Sequence, residues 1–292
     1  MSEFVQFTIT GLTIGSIYAI VALGFVTIYS VTRVINLAQG EFVMLGGMLM
    51  YSFISAGVPY WLSFFLTIVA VMGIGWLMEM TMIRRAKGAD PLSLIILTIG
   101  ASIFVRGIAS MIWGKSQVKI DPFTANKPIG ILGASITPQS IWVLVIMLFV
   151  VVFLYYLIEK TLLGKAFQAC SINPKAARLM GISPLKMSSF SFTLSAALGA
   201  LAGLAISPII FPAYDMGMML GIKGFSAAIL GGLGSAPGAV LGGVVIGLLE
   251  SFSAGYISSG LKDAIAFTTV LIILLIRPSG ILGERSVGKG GL

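Results

Sequence analysis

The chain begins with a long stretch in which no charged residue occurs between residues 4 and 32. About 20 consecutive apolar residues let a helix cross the hydrocarbon core of a bilayer, so this stretch is long enough for one crossing. Only 10% of the 292 residues are charged, whereas roughly 25% are charged in soluble proteins. The apolar runs do not alternate with polar residues as β-barrel strands do. We therefore predict an all-α, polytopic transmembrane helical bundle.

Polar breaks divide the chain into about eight to nine membrane segments. The second and the seventh are short and contain glycine, and the sequence leaves open whether these two, which lie within residues 42–57 and 216–233, cross fully. We expect a single domain over residues 1–292, with inverted halves at about 1–158 and 188–276 and a polar segment at 159–187. The nine predicted segments are 4–29, 42–54, 60–78, 91–113, 139–158, 188–206, 216–233, 237–252 and 263–276.

The positive charges between these segments predict the orientation. Cytoplasmic loops carry an excess of lysine and arginine, and placing the N-terminus outside puts twelve such residues inside and four outside. This placement also explains the net charge of +8 better than a nucleic-acid surface does. The inside residues are Arg33, Arg84, Arg85, Lys87, Lys160, Lys165, Lys175, Arg178, Lys186, Arg277, Arg285 and Lys289, and the outside residues are Lys115, Lys119, Lys127 and Lys262.

Glycines in the two short segments indicate an internal repeat. Paired, glycine-interrupted segments in two inverted halves point to a transport path near the bilayer midplane. Because the chain contains 36 glycines, chance spacing is the alternative explanation. The spacing of Gly40, Gly46 and Gly47 recurs loosely as that of Gly224, Gly231 and Gly232. We predict that the path contains these glycines and the polar residues at the two breaks, namely Asn36, Gln39, Glu41 and Lys223.

Four ionisable residues lie inside or beside the predicted segments. Such residues are costly in a membrane and are therefore candidates for function. Glu41 and Lys223 accompany the predicted breaks, which favours a functional role. Glu250 is better interpreted as pairing within the bundle or reaching the headgroups. For Arg106, both interpretations stay open.

Several classes of enzyme are excluded by composition. The chain has no histidine, which removes HExxH metalloenzymes and serine–histidine hydrolases. Residues 283–289 have P-loop spacing, but Gly290 replaces the serine or threonine that would hold magnesium. We therefore expect no enzyme activity in this chain, and any ATP that drives it must be hydrolysed by another subunit. A stand-alone secondary transporter or channel is the alternative, weakened because no string of acidic residues forms an ion relay.

The central polar segment contains the pattern of a short cytoplasmic helix. Asn173 can cap its start, Pro174 suits the first helical position and Gly181 suits the end. Ala176 and Ala177 give it a face that a partner can approach closely. We predict that a separate ATPase acts on this helix.

These features resemble a known family. Ala176-Ala177-x-x-x-Gly181 is similar to the EAAxxxG coupling motif of ABC importer permeases, with Lys175 where glutamate is usual. Over essentially its whole length, the chain resembles the LivH-type permeases of branched-chain amino-acid ABC transporters, a hydrophobic amino-acid uptake family. The resemblance is most specific in GLTIGSIYAIVALGFVTIYSVTRVINLAQGEFVMLGG at 11–47 and in GGLGSAPGAVLGG at 231–243.

The resemblance implies a permease subunit of an importer in the bacterial cytoplasmic (inner) membrane. Its implied partners are a LivM-type second permease, two cytoplasmic ATPase subunits and an extracytoplasmic solute-binding protein. No cofactor is expected in this chain, since ATP and magnesium are used by the partner subunits. The implied solute is leucine, isoleucine, valine or a related amino acid, although urea and short-amide permeases share the pattern. The implied ATPase-coupling residues are Lys175, Ala176, Ala177, Arg178 and Gly181.

Overall fold

The computed structural model describes residues 2–86, 88–124, 127–131 and 133–283. Lys87, Arg285 and Lys289 of the orientation count, and residues 284–290 of the tail motif, lie outside them. The described helices are α1 (Ser2–Thr32), α2 (Gln39–Ser55), α3 (Tyr60–Met78), α4 (Pro91–Trp113), α5 (Pro138–Lys160), α6 (Leu162–Ile172), α7 (Pro174–Leu179), α8 (Pro184–Ile210), α9 (Met216–Gly231), α10 (Ala236–Tyr256) and α11 (Lys262–Ile276). A π-helical turn, Glu79–Ile83, continues α3.

A helix lies at each of the nine predicted segments. Within the described part of the chain, six helices are long and apolar enough to cross a membrane, namely α1, α3 with its π turn, α4, α5, α8 and α10. The chain is therefore a multi-pass membrane protein. α2, α9 and α11 have 17, 16 and 15 residues, so a count of eight to nine crossings stays a prediction, as does the orientation.

The described residues are mostly helical, as predicted, with one short hairpin that the sequence did not predict. Between α4 and α5, strand β1 (Ile129–Ile131) pairs antiparallel with β2 (Ala134–Ile136). Gly133 has a φ of 81° and supplies the left-handed residue that a tight hairpin turn favours. Hydrogen bonds between the strands satisfy backbone groups that a simple loop would leave to water.

α1 and α8 form the centre of the bundle. Most of the apolar window of each is buried, whereas α3, α4 and α5 expose most of theirs. α1 contacts α9 and α10, and α8 contacts α2 and α3. When α1–α4 are matched in order with α8–α11, the contact of α1 with α9 corresponds to that of α8 with α2, and the contact of α1 with α10 corresponds to that of α8 with α3. This correspondence is expected for an inverted repeat. α5 packs against both α1 and α8.

Small residues set the distance between α1 and α10. A Cβ atom added at Gly15 would lie 2.9 Å from the Cα of Val244, closer than real Cβ atoms approach another atom. In lipid, where no hydrophobic effect draws helices together, such close contacts supply much of the attraction. The glycines of these helices are therefore positions of helix–helix contact.

Candidate functional site

Two breaks of the same construction interrupt the bundle. After α1, Arg33 has a φ of 57°, and α2 begins at Gln39. After α8, Phe211 has a φ of 50°, and α9 begins at Met216. A left-handed residue other than glycine costs of order 1–3 kcal/mol, so both turns are held by the packing around them. Each break thus joins a long central helix to a short one through an irregular segment.

The N-termini of α2 and α9 meet halfway along α8. The Nε2 atom of Gln39 donates to the carbonyl of Ser195 at 3.1 Å, and the Ser195 hydroxyl donates to Gln39 Oε1 at 2.6 Å. The backbones of Gly40 and Gly217 touch, because a Cβ added at Gly217 would lie 2.8 Å from the carbonyl carbon of Gly40. We call this crossing, with residues 34–41 and 211–217, the half-helix junction.

From the half-helix junction, α2 follows α8 toward the C-terminal end of α8. A Cβ added at Gly46 would lie 2.9 Å from the Cα of Ala200, and one added at Gly47 would lie 2.8 Å from the Cβ of Pro212. Both predicted path glycines therefore allow α2 to pack closely on α8 and its following turn. They contact protein rather than an open path.

A buried ion pair lies at the start of α2. Glu41 is 1% exposed, and its Oε1 atom accepts hydrogen bonds from Arg106 Nη2 and from the Ser102 hydroxyl, both at 2.7 Å. Arg106 also places Nη1 3.4 Å from the sulfur of Met218. Arg106 is therefore paired within the bundle, with a carboxylate in the first turn of α2.

A second buried ionic network holds the middle of α9. Lys223 Nζ lies 2.6 Å from Glu250 Oε1 and 2.8 Å from Asp263 Oδ1. The Tyr18 hydroxyl donates to Glu250 Oε2 at 2.7 Å, and Lys262 Nζ lies 3.4 Å from Glu250 Oε1. This network joins α9 to α1, α10 and α11, and it places Glu250 in a pair within the bundle, one of the two interpretations given for it above.

Pro212 and Asp215 mark a break in the sequence, and the structure confirms one there, whereas the further interruption predicted at Lys223 and Gly224 is wrong. α9 is continuous through Lys223 and Gly224, and the break lies before it, at residues 211–215. A Cβ added at Gly224 would overlap the side chain of Val21, so this glycine lets α9 pack on α1. Gly231 is the last residue of α9, and Gly232 follows it with a φ of 105°. Gly224, Gly231 and Gly232 all lie outside the half-helix junction.

A third buried carboxylate was not identified from the sequence. Glu79, 1% exposed in the π turn, accepts from the Ser189 hydroxyl at 2.7 Å, the Ser188 hydroxyl at 3.0 Å and Arg84 at 3.1 Å. These bonds tie the end of α3 to the first turns of α8. The available signal was a glutamate at the end of an apolar run with an arginine five residues later.

The central polar segment contains the predicted short helix, α7. The Asn173 side chain accepts from the amides of Lys175 and Ala176, both at 3.1 Å, and Pro174 occupies the first turn. Gly181 ends the turn with a φ of 82°, and the amide of Ile182 donates to the carbonyl of Ala177 at 3.0 Å. The predicted caps are therefore confirmed.

The exposed face of α7 is not the one expected from its small residues. Ala177 is buried against Phe167, Cys170 and Met187. The exposed residues are Lys175, Ala176, Arg178 and Gly181, together with the large apolar side chains of Ile172, Leu179 and Met180. A partner that reaches α7 thus meets a basic and apolar surface.

This architecture, with apolar helices, paired broken segments and a short basic helix between the two halves, is typical of a membrane transport component. A family model described as "Branched-chain amino acid transport system / permease component" matches residues 7–276. The chain belongs to this family.

Relatives match along nearly their full length. The high-affinity branched-chain amino acid transport system permease protein LivH of Escherichia coli strain K12 is 33% identical, over 98% of this chain and 97% of that protein. BraD of Pseudomonas aeruginosa is 33% identical over 98% of each. A probable LivH of Methanocaldococcus jannaschii is 32% identical, over 92% of this chain and 89% of that protein.

Proposed function

We propose that this chain is the permease subunit of an ABC importer that carries leucine, isoleucine and valine across the bacterial cytoplasmic membrane. The observation that carries the proposal is the half-helix junction. In a helix spanning the bilayer, the middle lies near the midplane, so the bonds between Gln39 and Ser195 put the N-terminus of α2 there. The contact between Gly40 and Gly217 puts the N-terminus of α9 beside it. Transport sites of many carriers lie at such meetings of discontinuous helices. The relatives named for branched-chain amino-acid transport support the solute class.

The junction has the properties of a path that can open and close. Irregular backbone at membrane depth is tolerated where protein covers it or where it lines a cavity. The N-termini of α2 and α9 each carry a partial positive charge, and Glu41 and Arg106 add a full charge of each sign. Because Gly40 and Gly217 touch through their backbones, a small tilt of α2 against α9 changes the passage between them.

Energy reaches this chain through α7 in the proposed importer. Two cytoplasmic ATPase subunits bind ATP and magnesium, close on each other and push the exposed surface at Lys175, Ala176, Arg178 and Gly181. Ala177 contributes by anchoring α7 to the chain. α7 continues directly into α8, whose first turns bond to Glu79 on α3. A push on α7 therefore acts on α8, the helix that holds the N-terminus of α2.

The remaining parts follow from the same proposal. A second, LivM-type permease provides the other half of the transmembrane pathway, and an extracytoplasmic solute-binding protein delivers the amino acid. The N-terminus then faces outside and α7 faces the cytoplasm. Solute selection takes place mainly in the binding protein, so this chain needs only a weak site.

Stimulation of ATPase activity by solutes tests the proposal. The importer is reconstituted with both permeases, the ATPase subunits and the solute-binding protein, and ATP hydrolysis is measured with leucine, isoleucine, valine or urea. We expect the three branched-chain amino acids to raise hydrolysis severalfold and urea to leave it at the basal rate. Stimulation by urea alone would instead support the short-amide alternative.

A further inference from the structure

A large cavity lies where α1 ends and α10 begins. Its volume is about 910 Å³, within the roughly 300–1,000 Å³ of typical ligand sites. Its wall contains Tyr29, Arg33 and Ser171, together with the start of α10 from Ser235. The described residues around it include no aspartate or glutamate. We call this space the basic cavity.

Contacts on one side of the basic cavity hold the guanidinium group of Arg33. Its Nη2 atom donates to the carbonyl of Ser171 at 3.0 Å, and its Cζ atom lies 5.5 Å from the centre of the Tyr29 ring. A guanidinium group has five N–H donors, so the bond to Ser171 leaves donors for an anion. Arginine binds phosphate oxygens with two parallel hydrogen bonds and is always charged.

The start of α10 adds a second positive element to the basic cavity. The Ser235 hydroxyl accepts from the amide of Gly238 at 3.1 Å and so caps this helix of 21 residues. The N-terminus of a helix carries a partial positive charge that stabilises anions. Arg33 and the start of α10 therefore favour an anion in the same space.

An apolar trough continues from the basic cavity between α5 and α10. Its volume is about 690 Å³, and Ala236 and Pro237 line both spaces. A smaller space of about 190 Å³ also connects them, because it shares Ser30 with the basic cavity and Leu154 with the trough. Most of the trough is lined by apolar side chains, including Leu23, Val151, Ile158, Val240 and Leu241. We call it the α5–α10 trough.

The α5–α10 trough has the depth of one leaflet. The stretch of α5 from Val151 to its end at Lys160 extends about 13 Å along the helix. One leaflet contributes roughly 15 Å of hydrocarbon. Tyr155 and Leu241 line the trough and are 61% and 46% exposed. The trough is therefore open to lipid along its length.

Two charged residues at the end of α5 also line the trough. Glu159 accepts from Gln168 at 2.7 Å and lies 3.3 Å from the Nζ atom of Lys165, so its charge is compensated. Lys160 adds a cation, and a lysine at a helix end can extend to the head groups. The charge at this end of the trough is thus positive, as it is in the basic cavity.

We propose that an anionic phospholipid binds here, from the leaflet on the side of α7. Its phosphate lies in the basic cavity, on Arg33 and the start of α10, and an acyl chain lies in the α5–α10 trough. Basic pockets between membrane helices bind anionic head groups in this way. A free phosphate would leave the trough empty, and an uncharged lipid would leave Arg33 without a counter-charge. The site shares no residue with the half-helix junction and goes beyond the proposed function.

Lipid titration followed by native mass spectrometry tests the inference on the assembled importer. The complex of both permeases and the ATPase subunits is stripped of lipid in detergent and titrated with phosphatidylglycerol or phosphatidylcholine of the same acyl chains. We expect severalfold tighter binding of phosphatidylglycerol, because the choline group would bring a second positive charge near Arg33.

Variants of arginine assign the head group. Arg33→Gln should weaken the binding of phosphatidylglycerol about tenfold, the effect of losing a charge-assisted hydrogen bond. Arg33→Lys keeps the charge and should keep the preference for the anionic lipid. The matched control Arg85→Gln removes an exposed cation at the same end of the bundle, away from both spaces, and should bind lipid as the wild type does.

A second pair of variants assigns the acyl chain. Leu241→Trp fills part of the α5–α10 trough and should weaken lipid binding severalfold with Arg33 intact. The matched control is Leu148→Trp, an exposed position on α5 outside the trough, which should bind lipid normally. Glycerol 3-phosphate, which has the phosphate but no acyl chain, should fail to displace the lipid.

Three results would overturn the site. Equal binding in Arg33→Gln and Arg85→Gln would show that only lipid around the whole complex is counted. Displacement by glycerol 3-phosphate would identify a site for a soluble phosphate instead. Binding of lipid to this chain alone, with none in the assembled complex, would show that another subunit covers the site. Leucine uptake by the complete importer in any of these cases leaves the proposed function standing.

Discussion

Replacing Gly40 with alanine should disturb the half-helix junction more than any comparable change elsewhere in α2–α4. A Cβ at this position would overlap the carbonyl oxygen of Gly217 and would lie 2.9 Å from the Cα of Gly221. Ordinary Cβ contacts are at 3.4–4 Å, so the Gly217 carbonyl must recede by more than about 1 Å, and overpacking of this kind costs about 1–3 kcal/mol. If the cost falls on one of two alternating states, the population of that state falls about thirtyfold at the middle of that range.

Uptake and thermal stability are the two measurements for Gly40→Ala. The variant importer is reconstituted in liposomes, and ATP-driven leucine uptake is compared with the melting temperature of the purified complex. We expect a loss of uptake of about fivefold to thirtyfold, with the ATPase subunits still bound. The matched controls are Gly73→Ala and Gly100→Ala, because a Cβ at either position meets no atom within 4 Å. Alanine favours a helix more than glycine, so these controls should keep full uptake and stability.

Gly40→Ala that transports leucine at the wild-type rate, with an unchanged melting temperature, would show that α2 and α9 do not touch at this point. Equal losses in Gly40→Ala and in the two controls would show a general effect of the substitution instead.

Three further predictions concern the ion network of α9 and the surface of α7. Lys223→Met should lower the free energy of unfolding by about 3–5 kcal/mol, because it leaves buried carboxylates uncompensated. Calorimetry should show that adding Glu250→Gln to this variant recovers part of the lost stability. An unchanged free energy of unfolding in Lys223→Met would exclude a buried ion pair. Gly181→Trp should release the ATPase subunits in a detergent pull-down, whereas Gly181→Ala, with the same strained backbone, should retain more of them; intact association and uptake in the tryptophan variant would remove the docking role of α7. A cysteine introduced at Ala176 should react with a maleimide, and bound ATPase subunits should protect it. The native Cys170 should stay unlabelled in both states, because burial raises the pKa of its thiol. Equal labelling at position 176 with and without the ATPase subunits would contradict contact at α7.

Local signals in the sequence predicted α7 well. An asparagine cap, a proline in the first turn and a glycine at the end act within one short segment, and all three do what their chemistry suggests. Which face of α7 is exposed was harder to predict. Ala177 faces Phe167 and Met187 because α6 packs beneath α7, and contacts between separate helices cannot be read from a cap pattern.

An interruption was wrongly predicted inside α9 because glycine serves two purposes in this protein. Gly224 was taken as an interruption, yet it is a packing position on α1. The actual break follows Phe211, a residue other than glycine in the left-handed region, and Pro212 stands next to it. Proline and a change of polarity at Asp215 marked this place in the sequence, but the conformation of Phe211 is imposed by its surroundings.

Pairing between distant residues accounts for the rest of what the sequence did not reveal. Glu41 and Arg106 are 65 residues apart, and each was recognised alone as a costly charge in an apolar segment. Their ion pair depends on how α2 packs against α4. The candidate residues could therefore be named from the sequence, whereas their pairing could not.

Uptake with a controlled energy source tests the central claim most directly. Liposomes containing the complete importer are supplied with labelled leucine and the solute-binding protein, first with ATP accessible to the ATPase subunits and then with a proton or sodium gradient alone. The proposed importer accumulates leucine only when ATP is hydrolysed. Accumulation driven by an ion gradient, in liposomes that contain this chain without ATPase subunits, would contradict it and identify a stand-alone secondary transporter.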